Sequence, residues 1–465
     1  MIQIEHPASS YSRELQSRLE VRHLLKSELP FPERVIDWHI HKGLIKAEEA
    51  IKKTKRGFIC LRCGQRERSF FAQYPCYRCN KNCVYCRSCV MMGRVSECTP
   101  LLTWNGNGRH GGASVQMEWN GELSAGQEKA ARSIVEAIRK KEELLIWAVC
   151  GSGKTELLFQ GIEFALNKGL RVCIATPRTD VVLELAPRFH QAFQSVQIAA
   201  LYGGSTDNGT LSPLVISTTH QLLRYKEAFD VIIIDEVDAF PYAIDQTLQY
   251  AVKKSRKPQS TRICLTATPS EQMKRNAENG RLRTIQIPAR YHRRPLPEPV
   301  FKWCGNWKRC LSREILPFPV KRWLFQHKEL QQPVFLFVPT IPALKLAVSL
   351  LKKGPFQAEG VHADDPDRNE KVTSFREEKL DVLVTTTILE RGVTVKKAQV
   401  GVLGAESAVF TESALVQMAG RAGRHPQFTE GDVCFFHFGK TTSMNAARRH
   451  IRNMNKLAEK EKLID

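Results

Sequence analysis

A chain of 465 residues, 42% of them hydrophobic and 25% charged, has the composition of a globular protein and is long enough for about three domains. It contains no run of the roughly 20 apolar residues that a membrane span needs. The N-terminus lacks the basic-then-apolar pattern of a secretory signal, so we expect a cytoplasmic protein. The formal net charge of +21 favours a polyanionic partner, with nucleic acid ahead of an anionic membrane surface.

The first part of the chain divides by composition into three segments. Residues 1–58 are charged and indicate an N-terminal helical region. Residues 59–99 contain the clustered cysteines. Residues 100–122 are rich in glycine and asparagine, which is typical of a linker or a hairpin.

The clustered cysteines follow the spacing C-x2-C-x12-C-x2-C-x3-C-x2-C-x2-C-x8-C. Because disulfides are rare in the cytosol, this pattern favours metal over disulfide bonds, and eight thiolates match two tetrahedral Zn²⁺ ions. Our preferred assignment places one ion on Cys60, Cys63, Cys86 and Cys89. The second ion then takes Cys76, Cys79, Cys83 and Cys98. A sequential pairing of Cys60 and Cys63 with Cys76 and Cys79 is the open alternative.

Cations and aromatic rings are interleaved with these cysteines. Positive charge beside stacking faces suits single-stranded nucleic acid. The alternative is that zinc only holds a small domain together, with the cations solvated. The cations are Arg62, Arg66, Arg68, Arg78, Lys81, Arg87 and Arg94, and the rings are Phe70, Phe71, Tyr74, Tyr77 and Tyr85.

From residue 123 onward, short apolar β-branched runs alternate with amphipathic helices, which predicts parallel sheets covered on both faces. The pattern covers residues 123–290, pauses over 291–328, resumes over 329–440 and ends in a basic tail helix over 441–465. The pause is basic and contains three tryptophans, which predicts either DNA contact or docking on the lobes. The predicted fold class is therefore α/β, with two parallel-sheet lobes preceded by a small cysteine-rich zinc domain.

The segment after the strand LLIWAVC has the pattern of a phosphate-binding loop at the start of a helix. Its glycines allow backbone N–H groups to surround phosphate oxygens, Lys154 is expected to reach the β- and γ-phosphates, and Thr155 is expected to ligand Mg²⁺. Ala148 stands where the usual loop has glycine. The predicted nucleotide-binding residues of this loop are Cys150, Gly151, Ser152, Gly153, Lys154, Thr155 and Glu156.

Two acidic residues follow the apolar strand VIII. An acid at the carboxyl end of a parallel strand faces the ligand crevice. Asp235 is therefore expected to hold Mg²⁺ through water, and Glu236 to orient and deprotonate the attacking water. Upstream, Gln127 in LSAGQ is expected to read the adenine edge with its amide.

The second lobe contains the sequence QMAGRAGR. Arg421 and Arg424, spaced by small residues, are expected to stabilise charge on the transferred phosphoryl group. Because the phosphate loop belongs to the first lobe, the catalytic site would be complete only when the lobes close. The threonines of Thr266-Ala267-Thr268 are expected to link the acidic pair to the cleft between the lobes. The segment 385–393 is expected to touch nucleic acid and nucleotide.

The motifs AVCGSGKT, TPR, TTHQL, DEVD, TAT, TTTILERGV and QMAGRAGR occur in the order of superfamily 2 helicases, which the chain resembles over residues 123–440. LSAGQ, TAT and QMAGRAGR resemble the primosomal replication-restart helicase. With CLRCG and YCRSCVMMGRV added, the whole order resembles the ComFA family of late competence ATPases from naturally transformable Gram-positive bacteria.

This resemblance implies two RecA-like lobes with ATP, Mg²⁺ and Zn²⁺ as cofactors, and ATP hydrolysis stimulated by single-stranded DNA. It also implies action where DNA enters the cell, at the cytosolic face of the membrane uptake channel, and partnership with the competence proteins ComFC and DprA. The leading hypothesis is an ATP-driven single-stranded DNA translocase for DNA uptake. The alternatives are a duplex-unwinding helicase of the replication-restart kind and a non-enzymatic, zinc-dependent DNA-binding scaffold.

Overall fold

The computed structural model describes residues 11–106, 114–207, 212–389 and 395–464. These residues form an N-terminal unit followed by two parallel-sheet lobes, which confirms the predicted fold class. Within the described ranges, none of the helices combines the length and the apolar run needed to cross a bilayer.

The N-terminal unit is a small antiparallel assembly in which strands outnumber helices. A three-stranded sheet has the order β1-β7-β2, and two hairpins, β3-β4 and β5-β6, contain five of the eight clustered cysteines. The elements are α1 (Arg13–Leu19), β1 (Leu24–Leu25), α2 (Glu33–His41), β2 (Ile45–Glu48), β3 (Ile51–Thr54), β4 (Gly57–Cys60), β5 (Phe71–Cys76), β6 (Lys81–Cys86) and β7 (Leu101–Trp104).

The start of the segment that the sequence assigned to a linker is part of this unit. Strand β7 pairs antiparallel with β2, with Trp104 opposite Ile45. Leu101 and Leu102 are fully buried. The apolar side chains of β7 therefore close the N-terminal core, and the connection to the first lobe begins after Trp104. Residues 107–113 of the predicted linker lie outside the described residues.

The first lobe is a seven-stranded parallel sheet with the order β10-β11-β9-β12-β13-β8-β14. Its central strands are buried along their length, as their continuous apolar sequences predict. Its elements are α3 (Ala125–Lys140), β8 (Glu143–Ala148), α4 (Phe159–Asn167), β9 (Val172–Thr176), α5 (Thr179–Ala192), β10 (Ile198–Leu201), β11 (Leu214–Thr218), β12 (Phe229–Ile234), α6 (Gln246–Ser255), β13 (Arg256–Thr266), α7 (Glu271–Glu278) and β14 (Arg283–Ile287).

The second lobe is a six-stranded parallel sheet with the order β15-β20-β19-β16-β18-β17. The tail helix α13 packs its buried residues Met444, Ala447, Ile451 and Met454 into the core of this lobe. The elements are β15 (Val300–Trp303), α8 (Trp307–Ser312), α9 (Phe318–Glu329), β16 (Val334–Phe337), α10 (Ile341–Lys352), β17 (Ala358–Val361), α11 (Arg368–Arg376), β18 (Val382–Thr385), β19 (Gln399–Leu403), α12 (Glu412–Ala419), β20 (Val433–His437) and α13 (Thr442–Lys460).

Most of the segment that the sequence placed between the lobes belongs to the second lobe. Strand β15 extends its sheet by pairing with β20. Trp307 and Trp323 are buried, and their indole nitrogens donate to Glu406 (2.7 Å) and Asp432 (2.6 Å). Burial in the core removes their apolar rings from water while each indole N–H keeps a hydrogen-bond partner, so these two rings are not available to DNA. Trp303 is 65% exposed and is the one of the three tryptophans available to a ligand.

Candidate functional site

The cleft between the two lobes brings together the predicted phosphate, metal and arginine positions. The first lobe contributes the loop 150–156 together with Asp235 and Glu236, and the second contributes Arg421 and Arg424. The same cleft contains residues that the sequence analysis had not assigned to it. These are Val181, Glu184, Leu185, Arg188, Gln417 and Gly420.

The phosphate loop leaves strand β8 and turns on two glycines. Gly151 has φ +81° and Gly153 has φ +70°, a left-handed conformation that glycine adopts without the cost of a Cβ. Lys154 and Thr155 follow, and a 3₁₀ turn over Glu156–Leu158 leads into α4. The helix therefore begins later than the sequence predicted, at Phe159, and the loop ahead of it is free to curve around an anion.

The side chain of Gln127 supports this loop through hydrogen bonds to its backbone. Its side-chain oxygen accepts from the backbone N–H of Ser124 (2.8 Å) in a capping box at the start of α3. Its Nε2 donates to the carbonyl oxygens of Ser152 (3.0 Å) and Gly153 (3.2 Å). Both amide hydrogens are thus used by the loop, and the side chain is 4% exposed. Gln127 therefore supports the phosphate loop in this structure, a role that the sequence did not predict, and its reading of the adenine edge stays a prediction.

The acidic pair leaves the carboxyl end of β12. The N–H of Asp235 donates to the carbonyl of Ala175 (2.8 Å), and that of Val237 donates to Leu265 (3.1 Å), so the turn is anchored to both neighbouring strands. Glu236 between them has φ +57°. A non-glycine residue held in this sparsely populated region is typical of functional sites, and here it lines the cleft opposite the phosphate loop.

A third acid of the same turn connects the lobes. The carboxylate of Asp238 accepts from the hydroxyls of Thr266 (2.5 Å) and Thr268 (2.7 Å) in the first lobe. It also accepts from Ser413 (2.7 Å) at the start of α12 in the second lobe. The threonines therefore bond to Asp238 of the same turn and through it meet the second lobe, while their predicted link to Asp235 and Glu236 stays a prediction.

The lobes meet in close contact at the arginine segment. The thiol of Cys150 donates to the side-chain oxygen of Gln417 (2.9 Å). Arg421 is 5% exposed, and burial together with nearby Arg424 lowers the pKa of its guanidinium to about 9. Because that value lies above neutrality, Arg421 keeps its positive charge in the cleft.

The segment expected to touch nucleic acid is described only in part. Residues 390–394, which include the ERGV letters, lie outside the described residues. Ahead of them, the carbonyl of Ile388 accepts from Arg178 of the first lobe (3.1 Å). The TPR motif and this segment therefore form a further contact between the lobes.

The eight cysteines form two groups in the N-terminal unit, and these are the groups of the preferred assignment. Within each group all four sulfurs lie within 4.8 Å of one another. In the first group, Cys60 and Cys89 are 3.8 Å apart and Cys63 and Cys86 are 3.6 Å apart. Tetrahedral Zn²⁺ with bonds of about 2.3 Å requires sulfurs about 3.8 Å apart, so the group can hold such an ion.

The second group has the same composition and lies along the β5-β6 hairpin. Cys76 and Cys98 are 3.4 Å apart, and Cys79 and Cys83 are 3.1 Å apart. Cys79 and Cys98 are half-buried, whereas all four sulfur residues of the first group are buried. The donor set therefore also fits Zn²⁺, at a site closer to solvent.

Family comparisons match three parts of the chain. Residues 8–103 match the ComFA N-terminal domain, described as that of a competence protein. Residues 120–271 match the family described as type III restriction enzyme, res subunit. Residues 314–426 match the helicase conserved C-terminal domain.

Individual relatives agree with these matches. Competence protein ComFA of Bacillus subtilis is 60% identical over 98% of this chain and 98% of its own length. ComFA of Streptococcus pneumoniae is 37% identical over 88% of this chain and 93% of its own. In fold alone, S. cerevisiae Dbp5 bound to RNA and ADP BeF3 is similar, with a TM-score of 0.52 and 15% identity over 73% of this chain and 96% of that one. The chain therefore belongs to the ComFA family of competence proteins and carries the two lobes of a helicase-like ATPase.

Proposed function

We propose that this chain is an ATP-driven translocase that moves single-stranded DNA into the cytosol during natural transformation. One observation carries the proposal: the phosphate loop of one lobe and Arg421 and Arg424 of the other line a single cleft. A site divided in this way is complete only when the lobes close, which couples hydrolysis to domain motion. Repeated closure and opening on a bound strand is the elementary step of a motor.

Each cleft residue has a defined role in this proposal. Lys154 binds the β- and γ-phosphates, and Glu236 orients the attacking water and accepts its proton. Arg421 and Arg424 stabilise the charge that develops on the transferred phosphoryl group. Thr155 and Asp235, through water, would hold Mg²⁺, which neutralises phosphate charge when bound.

Turnover with different nucleic acids tests the proposal. We expect ATP hydrolysis to rise with single-stranded DNA more than with duplex DNA or RNA, all measured at one stated salt concentration. Lys154→Ala should abolish turnover and leave DNA binding largely intact. Equal ATP turnover in the wild type and in Lys154→Ala would refute the proposed motor function and favour a non-enzymatic scaffold.

A second assay separates translocation from unwinding. We expect the protein to displace a roadblock, such as streptavidin on biotinylated single-stranded DNA, in an ATP-dependent reaction. Strand separation on a forked duplex by the pure protein would instead favour the replication-restart type of helicase.

We also propose that both cysteine groups bind Zn²⁺. The sulfur spacings and the four-thiol composition support this assignment. Elemental analysis of the purified chain should give about two zinc ions per molecule, and Cys83→Ala should remove one of them. Protein purified without any zinc would contradict the assignment.

The outer hairpin is our proposed contact for single-stranded DNA. Tyr77, at the tip of β5-β6 between two cysteines, is 98% exposed, and Arg78 and Lys81 beside it are also exposed. An aromatic face next to cations stacks bases without regard to sequence. Tyr77→Ala should lower the affinity for a fluorescent oligothymidine by about tenfold or more, whereas Tyr77→Phe should retain it.

Family membership supports a position at the cytosolic face of the DNA-uptake channel, with ComFC and DprA as partners. Co-purification of the tagged chain with each of these proteins tests the proposal. We expect both to be retained in the presence of single-stranded DNA. Loss of both in every buffer would exclude stable partnership.

A further inference from the structure

A buried arginine at the end of the first lobe contacts the turn that carries the catalytic arginines. Arg290 follows strand β14 and is 1% exposed. Its guanidinium donates to the backbone carbonyls of Ala422 (2.9 Å), Gly423 (2.5 Å) and Gly420 (3.3 Å). All three acceptors belong to the second lobe, in the turn that surrounds Arg421 and leads to Arg424.

The local structure of this turn explains why it accepts an arginine. Helix α12 ends at Ala419, so no further helical turn supplies partners for the carbonyls that follow, and these carbonyls lie beside the C-terminal end of the helix, where the dipole favours a cation. The five N–H donors of a planar guanidinium can serve several such carbonyls at once. Burial lowers the pKa of Arg290 to about 10, so it remains charged at neutral pH.

The same residue also lies against the phosphate loop. A Cβ placed on Gly151 would be 3.6 Å from Cγ of Arg290. The backbone N–H of the next residue, Tyr291, donates to the carbonyl of Gly151 (3.2 Å). Arg290 therefore spans the short distance between the phosphate loop of one lobe and the arginine turn of the other.

We infer that Arg290 is a positioning residue. It fixes the position of the turn that contains Arg421 and Arg424 relative to the phosphate loop when the lobes close. Its backbone belongs to the first lobe, and its guanidinium holds the turn of the second lobe by hydrogen bonds. It acts through the turn and not on the nucleotide. The inference rests on the proposed ATPase function of the cleft.

Steady-state kinetics of the full chain test this role. Arg290→Ala should lower kcat for ATP by about 10–100-fold and change KM by less than about threefold, because a displaced catalytic group affects the transition state more than ground-state binding. Arg290→Lys keeps the charge but loses the planar array of donors, so its kcat should lie between those of the wild type and Arg290→Ala. The matched control Arg294→Ala, an exposed arginine four residues further on, should retain the wild-type rate.

A combined variant distinguishes positioning from an independent effect. If Arg290 acts through Arg421 and Arg424, adding Arg290→Ala to the double variant Arg421→Ala/Arg424→Ala should cause no further loss of kcat. Multiplying defects would overturn the inference. So would an Arg290→Ala protein in which KM rises as much as kcat falls.

Hydrogen exchange supplies a readout that does not depend on turnover. Backbone amides of residues 420–424 should exchange faster in Arg290→Ala than in the wild type or in Arg294→Ala, while those of strand β12 should not change. Unchanged exchange in the turn would overturn the inference. A wild-type protein without ATPase activity would refute the proposed function, and the exchange result would still decide whether Arg290 positions the turn.

Discussion

Two residues beside the phosphate loop are held in place by hydrogen bonds of the backbone. Gln127 serves two carbonyls of the phosphate loop, and Glu236 is held by the anchored turn on either side of it. Such contacts fix a side chain whether or not a ligand is bound. Substitution of these residues should therefore affect catalysis with little effect on folding.

Gln127 allows a test between loop support and base recognition. Gln127→Ala removes both hydrogen bonds to the phosphate loop, so KM should rise about tenfold, the equivalent of about 1.4 kcal/mol. Because the lost contacts concern the loop and not the base, the factor should be the same for ATP and GTP. A variant that discriminates less between ATP and GTP than the wild type does would support adenine reading as the role of Gln127.

In the proposed mechanism, Glu236 is the residue on which hydrolysis depends most directly. Glu236→Gln keeps the shape of the side chain and removes the proton acceptor, so kcat should fall by about 10²–10⁴-fold. Binding of a fluorescent ATP analogue should be unchanged. Glu184→Gln, a substitution of another acid in the same cleft, is the control and should lower kcat far less. Wild-type turnover in Glu236→Gln would exclude a role as general base.

At the level of elements, the end of α12 is packed against the start of the phosphate loop. Gly420 has an ordinary helical backbone, so its lack of a side chain serves packing rather than conformation. A Cβ at Gly420 would lie 2.5 Å from Cβ of Cys150 and 2.8 Å from its sulfur. Only glycine therefore allows the second lobe to approach this closely.

Gly420→Ala should keep the lobes from closing and lower ATP turnover by about 10²-fold, because a displacement of about 1 Å is enough to misplace the arginines. Adding Cys150→Ala should not restore activity, since the closest atom is the Cβ that alanine retains. Adding Cys150→Gly should restore part of it. Full activity of Gly420→Ala alone would show that this contact is absent from the reacting state.

At the level of the whole molecule, the N-terminal unit and the first lobe share one hydrophobic core. Leu25, Ile51 and Val95 pack in the same buried cluster as Ile232 and Leu248 of the first lobe. At the border, the ammonium of Lys254 donates to the carbonyl of Arg62 (2.9 Å) and Tyr250 donates to that of Leu61 (3.2 Å). The cysteine-rich unit is therefore a fixed part of the first lobe and moves with it.

Gly64 offers a test of this docking. It has φ +76°, and a Cβ there would meet the ring of Tyr250 at 2.4 Å. Gly43 has φ +72° with nothing within 4 Å, so Gly43→Ala measures backbone strain alone, about 1–2 kcal/mol. Gly64→Ala should lose about 1–3 kcal/mol more in the free energy of unfolding measured by urea titration. Equal losses in the two variants would show that the interface contributes no packing there.

Much of the fold was predictable because long apolar runs and glycine-containing motifs are local signals. The central strands β8, β9, β11 and β12 were located from their continuous apolar letters. The edge strands β10, β14, β15 and β17 were not predicted, since short or partly polar strands form through pairing with a neighbour. Trp307 and Trp323 were ambiguous for a similar reason: an amphipathic ring suits a core as well as a DNA surface.

The sequence by itself determined the residue types from which the site is built: a phosphate loop, an acidic pair, a twin-arginine segment and eight clustered thiols. Few other functions need those residue types at those spacings. The phosphate loop and the acidic pair directly follow apolar runs, which places them at the ends of strands. Only the tertiary structure decided which groups meet. It brought Arg290 under the arginine turn, engaged Gln127 with the loop and joined the thiols into their two groups. Such contacts join residues that are far apart in the sequence, 25 positions for Gln127 and Ser152 and 133 for Arg290 and Gly423, or depend on the path of a hairpin, and no local pattern records them.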